Sequence, residues 1–278
     1  MTAPRAMTGT AVSQDLRRHY DAYYTGGALE WRRLGALAKA ENVLALCAEQ
    51  PHASVLEIGA GEGALLARIA ELGFGERLHA AEISRSGARA IRARGIAQLV
   101  SLVRFDGETL PFGDARFDLA VLSHVLEHAE HPRRLLAEAA RVARTLFVEV
   151  PLEDTWRLPR EFAPDPVGHI NFYSRSSLRR LVQTCGLEVL AERVAPPARE
   201  AMVFRSGTRG ALAHAIKRLA LSATPSLATR VFTYHGALLC RRVVASPGAA
   251  CFDGARLGIR GAGRDATIPR QPVKIERR

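Results

Sequence analysis

The sequence predicts a doubly wound α/β fold, with a seven-stranded, mostly parallel sheet covered by helices on both faces. Two observations lead to this prediction. Short apolar runs alternate with longer segments of helical periodicity between residues 51 and 245, which is the pattern of repeated β–α–β units. Several of the apolar runs also end in glycine or an acidic residue, as strands do where an open parallel sheet binds a ligand.

Composition places the chain among globular proteins large enough to bury a core. Of its 278 residues, 47% are hydrophobic, which suffices for one large domain with appendages. No apolar run approaches the ~18–20 residues of a membrane span, and no secretory signal core follows Met1. The four cysteines are scattered without C-x-x-C pairing, which argues against a disulfide framework and a zinc site. We therefore expect a cytoplasmic protein without a membrane partner.

The net charge of +11 is concentrated in the C-terminal third. Residues 1–198 contain 24 basic and 24 acidic side chains, whereas residues 199–278 contain 15 and 4. A nucleic-acid surface would carry stacking aromatics among the arginines, and few are present, so nucleic acid is not the expected partner. A disordered, solvated basic tail at 246–278 is one interpretation of the excess, and attraction of an anionic small substrate is the other.

Residues 1–50 predict an N-terminal helical segment. A first helix containing His19 to Tyr24 ends at Gly26-Gly27. A second helix runs from about Leu29 to Glu49, with apolar residues at helical spacing.

A glycine loop after the first predicted strand is the centre of the predicted site. The short apolar run Val55–Ile58 is followed by three glycines at alternate positions, and then a helical pattern begins. A strand, a glycine turn and a helix N-terminus together let the backbone approach a ligand closely.

Three interpretations compete for this loop. Gly59 and Gly61, with Ala64, satisfy the relaxed dinucleotide pattern, which binds pyrophosphate. With Glu57 and Gly63, the same glycines resemble the E-x-G-x-G-x-G loop of the class I S-adenosylmethionine (SAM) methyltransferases. Glu57 would repel a pyrophosphate but suits the cationic methionine end of SAM. A glycine turn of purely structural use is the third alternative.

An acid at the end of the second predicted strand supports binding of a ribose. Glu82 lies 19 residues beyond Gly63, the separation that one helix and one strand require. A carboxylate there accepts from both ribose hydroxyls, and such charged hydrogen bonds contribute ~1.5–3 kcal/mol each. Both nucleotide interpretations predict this acid, and a surface salt bridge is the alternative.

A third acid distinguishes the two cofactors. The next strand ends in Asp106, and two short motifs follow it, Leu110-Pro111-Phe112 and Phe117-Asp118, before Glu127-His128. This arrangement resembles the small-molecule methyltransferases of the same family, where the equivalent of Asp106 accepts from the adenine amino group. NAD enzymes lack this combination, so SAM is the expected cofactor.

The resemblance covers roughly residues 50–195 and a last strand at 235–244, which it implies to be antiparallel. It implies a Rossmann-like methyltransferase domain at 51–245, a lid at 1–50 with Tyr20, Tyr23 and Trp31 as cover, and an insertion at 196–230. The residues that it implies for SAM binding are Glu57, Gly59, Ala60, Gly61, Gly63, Glu82, Ile83, Asp106, Gly107, Ser123 and His124, with Tyr20 from the lid.

Local signals predict the remaining elements. Pro132 opens one helix, and either Ser174 or Ser176 caps another, which ends at Gly186. The family's usual P-G-G turn before the fifth strand is missing, and Arg144-Thr145 makes the connection instead. These elements are strands at 117–124, 145–150 and 187–194, and helices at 133–143, 177–185 and 211–221, the last one basic and either a roof on the substrate site or packed outside.

Catalysis of methyl transfer depends mainly on alignment, worth roughly 7–11 kcal/mol, whereas a general base contributes ~10²–10⁴-fold. For a hydroxyl acceptor the most useful base is a histidine. His128 and His169 both follow predicted strands and are the candidates, with Glu127 as the residue that orients one of them. The alternative is that these side chains only stabilise their turns. No H-x-x-x-H or H-x-H spacing predicts a metal site, and the acids at 153, 154 and 165 are explained as solvated loop residues.

These observations predict a SAM-dependent methyltransferase that acts on a small molecule, at a hydroxyl of a sugar or secondary metabolite. Three rivals stay open. They are methylation of a macromolecule through the basic C-terminal third, SAM binding without catalysis, and an NAD(P) oxidoreductase, which Glu57 and Asp106 disfavour. The sequence sets neither the attacked atom nor the oligomeric state.

Overall fold

The computed structural model describes residues 29–159, 161 and 168–243. The predicted first helix with Tyr20 and Tyr23, the loop acid Asp165 and the tail at 246–278 lie outside the described residues.

Seven strands form one sheet, and all of them were predicted. Their bounds are β1 Ser54–Ile58, β2 Arg77–Glu82, β3 Leu99–Arg104, β4 Phe117–Ser123, β5 Ala143–Pro151, β6 Leu187–Ala195 and β7 His235–Arg242. The strand order is β3-β2-β1-β4-β5-β7-β6. β1 pairs in parallel with β2 and β4, whereas β7 is antiparallel to both β5 and β6. The predicted mostly parallel sheet with an antiparallel last strand is confirmed.

Helices cover both faces of the sheet. Their bounds are α1 Leu29–Cys47, α2 Ala64–Glu71, α3 Arg85–Ala93, α4 Pro132–Val142, α5 Arg175–Thr184, α6 Arg199–Ala223 and α7 Pro225–Val231. Leu56 of β1 shares one apolar cluster with side chains of α4 and α5, and its neighbour Val55 shares another with side chains of α1, α2 and α3. Successive strand residues therefore face opposite layers, as the doubly wound prediction requires.

Two predicted connections differ from the structure. α4 ends at Val142 and β5 begins at Ala143, so no turn separates them and the strand starts before the predicted Arg144-Thr145 link. The helix predicted at 211–221 is the second part of α6, which starts at Arg199 and bends at Gly207, where φ is 56° and ψ is −134°. This conformation is not helical, so Gly207 divides α6 into two helical parts that meet at a kink. For α5, Ser174 is the capping residue, since its Oγ accepts from the Ser177 N–H.

Candidate active site

A cavity of about 320 Å³ opens at the C-terminal ends of β1, β2 and β4. The strand order reverses between β1 and β4, and in open α/β sheets this reversal is where ligands bind. α1 covers the cavity through Trp31, Arg32 and Lys39, and the start of α6 adds Ala198 and Ala201. The predicted site residues that line it are Glu57, Gly59, Ala60, Gly61, Glu82, Ile83, Gly107, Ser123, His124, Glu127, His128 and His169.

The glycine loop has a backbone conformation that other residues rarely adopt. Gly59, Gly61 and Gly63 have φ values of 72°, 57° and 76°. A Cβ on Gly59 would lie 2.7 Å from a methyl carbon of Val125. Gly63 is the N-cap of α2 and is not among the cavity-lining residues, so its role is to start the helix. The loop therefore brings backbone, without side chains, to the wall of the cavity.

Glu82 fastens this loop to the end of β2. One carboxylate oxygen accepts from the Gly61 N–H at 2.7 Å and the other from the Ser84 N–H at 2.9 Å. Burial raises the pKa of Glu82, and these backbone donors act in the opposite direction. Each oxygen can accept a second hydrogen bond, which is what two ribose hydroxyls would donate. The residue thus holds the loop as well as lining the cavity.

Glu57 provides a test of which ligand fits. Its side chain is buried, and Oε2 has no hydrogen-bond partner among the described residues. Burial raises the pKa of this carboxyl to about 8, and Lys39 acts against that shift. A buried carboxylate oxygen without a donor favours a cationic ligand, so the cationic end of SAM fits here and a pyrophosphate does not.

Asp106 does not join the other two predicted acids. It lies in a separate shallow depression with Thr109 and Pro111, while its neighbour Gly107 lines the main cavity. One oxygen of Asp106 accepts from the backbone N–H groups of Glu108 and Thr109, at 2.8 and 2.6 Å. The expected convergence of three acids on one cavity is therefore seen for two of them, because Asp106 caps its own turn.

A fourth carboxylate, which the sequence did not single out, connects the loop to two helices. Glu62 is buried, and its oxygens lie 2.9 Å from Arg32 Nε of α1 and 3.0 Å from an Arg94 terminal nitrogen just beyond α3. Arg94 Nε also donates to the Glu62 carbonyl at 2.6 Å. The glycine loop is thus held from both sides.

The histidines predicted as bases lie together on one wall. The rings of His128 and His169 are 4.8 Å apart, and Glu127 beside them is fully buried. His128 Nδ1 lies 3.1 Å from the carbonyl oxygen of Gly168, and His169 Nδ1 lies 2.7 Å from an oxygen of Glu153. Burial lowers the pKa of His128, while Glu127 and the Gly168 carbonyl act to raise it. Glu153, predicted as a solvated acid, is a partner of a cavity histidine.

A second histidine pair lies at the ends of β4 and β7. The rings of His124 and His235 are 4.5 Å apart, and His235 Nδ1 is 3.4 Å from an oxygen of buried Glu149. Asn42 and Ser123 donate to the two Glu149 oxygens at 2.7 and 2.6 Å. His124 adopts φ 57°, unusual for a residue with a side chain, and burial holds its pKa well below the ordinary value.

Both groups, His124–Glu149–His235 and Glu127–His128–His169, bring three potential metal-ligand atoms within 4.8 Å of one another. Sequence spacing could not show the first group, because its members come from three strands. Hydrogen bonds from the chain already reach both oxygens of Glu149, which favours an internal network over metal coordination there.

Sequence reasoning missed two cations of the cavity wall, Arg32 and Lys39. Together with Ala36 they recur every three to four residues on α1, and this spacing was the available signal. Trp31 lines the cavity as the predicted cover residue, whereas Tyr20 lies outside the described residues.

Comparison with protein families gives a direct match. A model described as a methyltransferase domain covers residues 29–192. The chain is 35% identical over 94 residues to the uncharacterized protein MJ1123 of Methanocaldococcus jannaschii, covering 34% of this chain and 41% of that one. It is 28% identical over 168 residues to the biotin biosynthesis bifunctional protein BioHC of Teredinibacter turnerae, covering 52% and 28%. The chain thus spans less than half the length of either relative.

Solved structures share the fold. The [4+2]-cyclase SpnF matches with a TM-score of 0.53 and 20% identity, covering 74% of this chain and 80% of that one. The geranyl diphosphate C-methyltransferase of Streptomyces coelicolor A3(2), bound to S-adenosyl-L-homocysteine, matches with a TM-score of 0.52 and 17% identity, covering 74% and 76%. Because one of these proteins is named a cyclase, the fold alone does not determine the reaction.

The family match includes the glycine loop, Glu57, Glu82 and the histidines at 124 and 128. Beside that loop, the buried Oε2 of Glu57 has no donor among the described residues and fits the positive charge of the family's cofactor. The chain therefore belongs to the class I SAM-dependent methyltransferases.

Proposed function

We propose that this enzyme methylates a hydroxyl group of a small molecule, such as a sugar or secondary metabolite, with His128 as the general base. The observation that carries the proposal is the contact between His128 Nδ1 and the carbonyl oxygen of Gly168. A carbonyl oxygen only accepts, so Nδ1 carries the proton and Nε2 holds the lone pair. That is the tautomer that can take a proton from an acceptor hydroxyl.

Burial keeps His128 in its neutral form at pH 7, since it lowers the pKa of the ring. Glu127 opposes this shift, so that the ring stays basic enough to accept a proton. His169, whose Nδ1 contacts Glu153 at 2.7 Å, packs against His128 and is the second candidate. Both rings line the same cavity as the glycine loop, so an acceptor hydroxyl bound there would have a basic group on the cavity wall.

SAM supplies an activated methyl group when bound, and the chain's own residues hold and align it. We assign Glu57 to its cationic end, Glu82 to the ribose and the glycine-loop backbone to the body of the cofactor. Ile83, Gly107, Ser123 and His124 complete that wall, and Asp106, the residue expected at the adenine amino group, contributes through the turn that positions Gly107. Trp31 and the rest of α1 cover the cavity and exclude water from it, which strengthens the electrostatic interactions inside.

A screen with methyl-labelled SAM tests the proposal. Purified protein is incubated with separate pools of sugars, phenolic metabolites, amines and thiols, and labelled products are identified by mass spectrometry and NMR. We expect label on oxygen in at least one hydroxyl pool, and its loss in the His128→Ala variant. Label found on nitrogen, carbon or sulfur alone would overturn the choice of acceptor atom while leaving SAM binding intact.

Methylation of a macromolecule is the second candidate, because residues 199–278 carry 15 basic and only 4 acidic side chains. The same screen therefore includes bulk RNA and denatured protein. Label that enters either of these polymers, and no small molecule, would favour the second candidate over the first.

A further inference from the structure

The outer side of α6 presents an apolar stripe to solvent. After the bend at Gly207, Leu212, Ile216 and Leu219 are 63%, 47% and 71% exposed. Their spacing of four and then three residues places them on one side of the helix. Large aliphatic side chains in a row, at this level of exposure, form a continuous apolar line along two turns.

The stripe is not the side by which α6 packs on the domain. Ala220 and Leu221 contact the main apolar cluster, and Lys217 Nζ donates to the Thr233 carbonyl at 2.8 Å. The hydroxyl of Tyr234 donates to the Lys217 carbonyl at 2.8 Å. With one side of the helix held by these contacts, the leucine-bearing side faces away from the domain.

Two further exposed apolar side chains follow the stripe. Leu227, on α7, is 47% exposed. Trp156 is 68% exposed, and its backbone N–H donates to the carbonyl of Arg230, one turn beyond Leu227. We call Leu212, Ile216, Leu219, Leu227 and Trp156 the apolar surface.

The charge on the two helices of the apolar surface is almost entirely positive. Residues 199–231, which span both helices, contain six Arg or Lys side chains and a single acid, Glu200. Arg209, Arg218 and Arg230 are exposed. Exposed acids occur on the neighbouring loop, at Asp154 and Glu161, but none occurs on α6 beyond its first turn or on α7.

We propose that the apolar surface docks the enzyme on an anionic lipid bilayer. A helix that combines an apolar stripe with arginines lies in the membrane interface, where its apolar side chains enter the acyl boundary and its cations meet anionic headgroups. Tryptophan suits the same interface, because its ring is apolar and its N–H is polar. Cations surrounding an apolar line match a lipid surface better than a neutral protein partner.

This inference revises the sequence-based expectation of no membrane partner. That expectation came from the lack of a long apolar run, and among the described residues no helix is long and apolar enough to cross a bilayer. Both statements concern spanning segments. A stripe of three residues on a helix surface is invisible to such a criterion, since its average hydropathy is low.

The docking surface and the cavity share α6. Ala198 and Ala201, at its start, line the cavity, and the stripe lies on the part of α6 that follows the kink at Gly207. The inference itself concerns lipid binding and does not depend on the proposed acceptor or on His128.

Flotation of the full-length protein with lipid vesicles tests it. Vesicles contain either phosphatidylcholine alone or an equal mixture with phosphatidylglycerol, at about 0.1 and 0.5 M salt, since surface charge is screened at the higher concentration. We expect binding to the anionic vesicles at low salt, at least tenfold weaker binding to neutral vesicles, and release at high salt. Replacing Leu212, Ile216 and Leu219 by serine should reduce partitioning at least tenfold.

Leu72→Ser with Val100→Ser is the matched control, because both residues are exposed apolar side chains on other parts of the domain, 41% and 58% exposed. This variant should bind vesicles like the wild type, and both variants should keep the wild-type unfolding temperature. The inference fails if no vesicle is bound, or if the triple variant binds as well as the wild type. It also fails if the triple variant only converts a dimer to a monomer in light scattering, which would make the surface a contact between copies.

Discussion

Two buried carboxylates, on the strands β1 and β5 that flank β4, have pKa values shifted in opposite directions. Glu57, on β1, is 4% exposed, and Glu149, on β5, is fully buried. Burial raises the pKa of Glu57 to about 8. Burial also acts to raise the pKa of Glu149, but the nearby His235 ring and the charge of Lys39 act against it and lower the pKa to about 2.

The two carboxylates differ in whether the chain itself supplies hydrogen-bond donors to both oxygens. Glu149 accepts from Asn42 and Ser123 and lies 3.4 Å from His235, so the chain itself satisfies the charge. Glu57 has an oxygen without any donor among the described residues, beside a loop that admits a ligand. The first carboxylate therefore has its partners within the fold, whereas we propose that the second binds the cationic end of the cofactor.

The largest expected effect is the loss of stability when Glu149, whose partners all come from the chain, is replaced. Glu149→Ala leaves Asn42, Ser123 and His235 without their partner, and removing one member of a buried charged network costs about 3–5 kcal/mol. Urea unfolding at neutral pH measures the loss. Glu188→Ala is the control, because Glu188 forms an exposed pair with Arg241 at 3.0 Å and should cost less than about 1 kcal/mol. Equal losses in the two variants would contradict the structural role.

His128→Ala tests the proposed general base. We expect kcat to fall about 100-fold, equivalent to about 2.7 kcal/mol, with SAM affinity unchanged, because the base acts only in the chemical step. Steady-state kinetics and SAM titration separate the two quantities. His214→Ala, remote from the cavity on α6, is the control. Unchanged turnover in both His128→Ala and His169→Ala would remove both candidate bases.

Glu57→Gln tests whether Glu57, unlike Glu149, contributes to SAM binding and not to stability. Loss of a charge-assisted contact should weaken SAM binding about 10–100-fold, since such contacts contribute about 1.5–3 kcal/mol. Unlike Glu149→Ala, this change should not lower the stability of the ligand-free protein at pH 8. It removes a buried charge whose Oε2 has no donor among the described residues, so the unfolding temperature should stay the same or rise. A drop in stability would show that Glu57 is satisfied within the fold.

The same variant should change the pH dependence. Because the pKa of Glu57 is raised from 4.5 to about 8, the folded ligand-free protein binds more protons than the unfolded chain between these values, and its stability falls as pH rises through that window. Binding of a cation requires the ionised form. SAM affinity should therefore increase, by up to about tenfold per pH unit, as the pH rises toward 8. Isothermal titration at pH 6.5 to 8 should show this slope for the wild type and none for Glu57→Gln.

The smallest effect is expected at Asp106. Its carboxylate lies in a separate depression and accepts from two backbone N–H groups of its own turn. Asp106→Ala should leave the fold intact and weaken SAM binding by only about fivefold, through loss of the turn that positions Gly107. A loss as large as that of Glu57→Gln would mean that the carboxylate itself reaches the ligand.

Most of the fold could be predicted because its signals are local. Apolar runs, the glycine loop and the serine cap gave each strand and most helices within a few residues. The α4–β5 junction and the length of α6 could not be predicted in this way. In α6, Gly207 interrupts the helical conformation, and Gly210 faces the Met202 carbonyl so closely that only a glycine fits.

Site residues that belong to one local motif could be predicted from the sequence. Those that only tertiary packing brings to the site could not. Glu57 and Glu82 were found because each ends a strand next to the glycine loop. His235 reaches His124 only because β7 inserts beside β5, 111 residues later in the chain. The Asp106 turn depends on backbone geometry that its sequence does not encode uniquely, since an acid at a strand end can face the ligand or its own loop.

The ion pairs of Glu62 with Arg32 and Arg94 have a kinetic consequence. Two arginines from opposite sides hold the glycine loop, so its backbone is already in the binding conformation before any ligand arrives. A preorganised loop loses little entropy on association and imposes no slow ordering step. The association rate of the cofactor should then be set by diffusion into the cavity, and not by refolding of the loop that receives it.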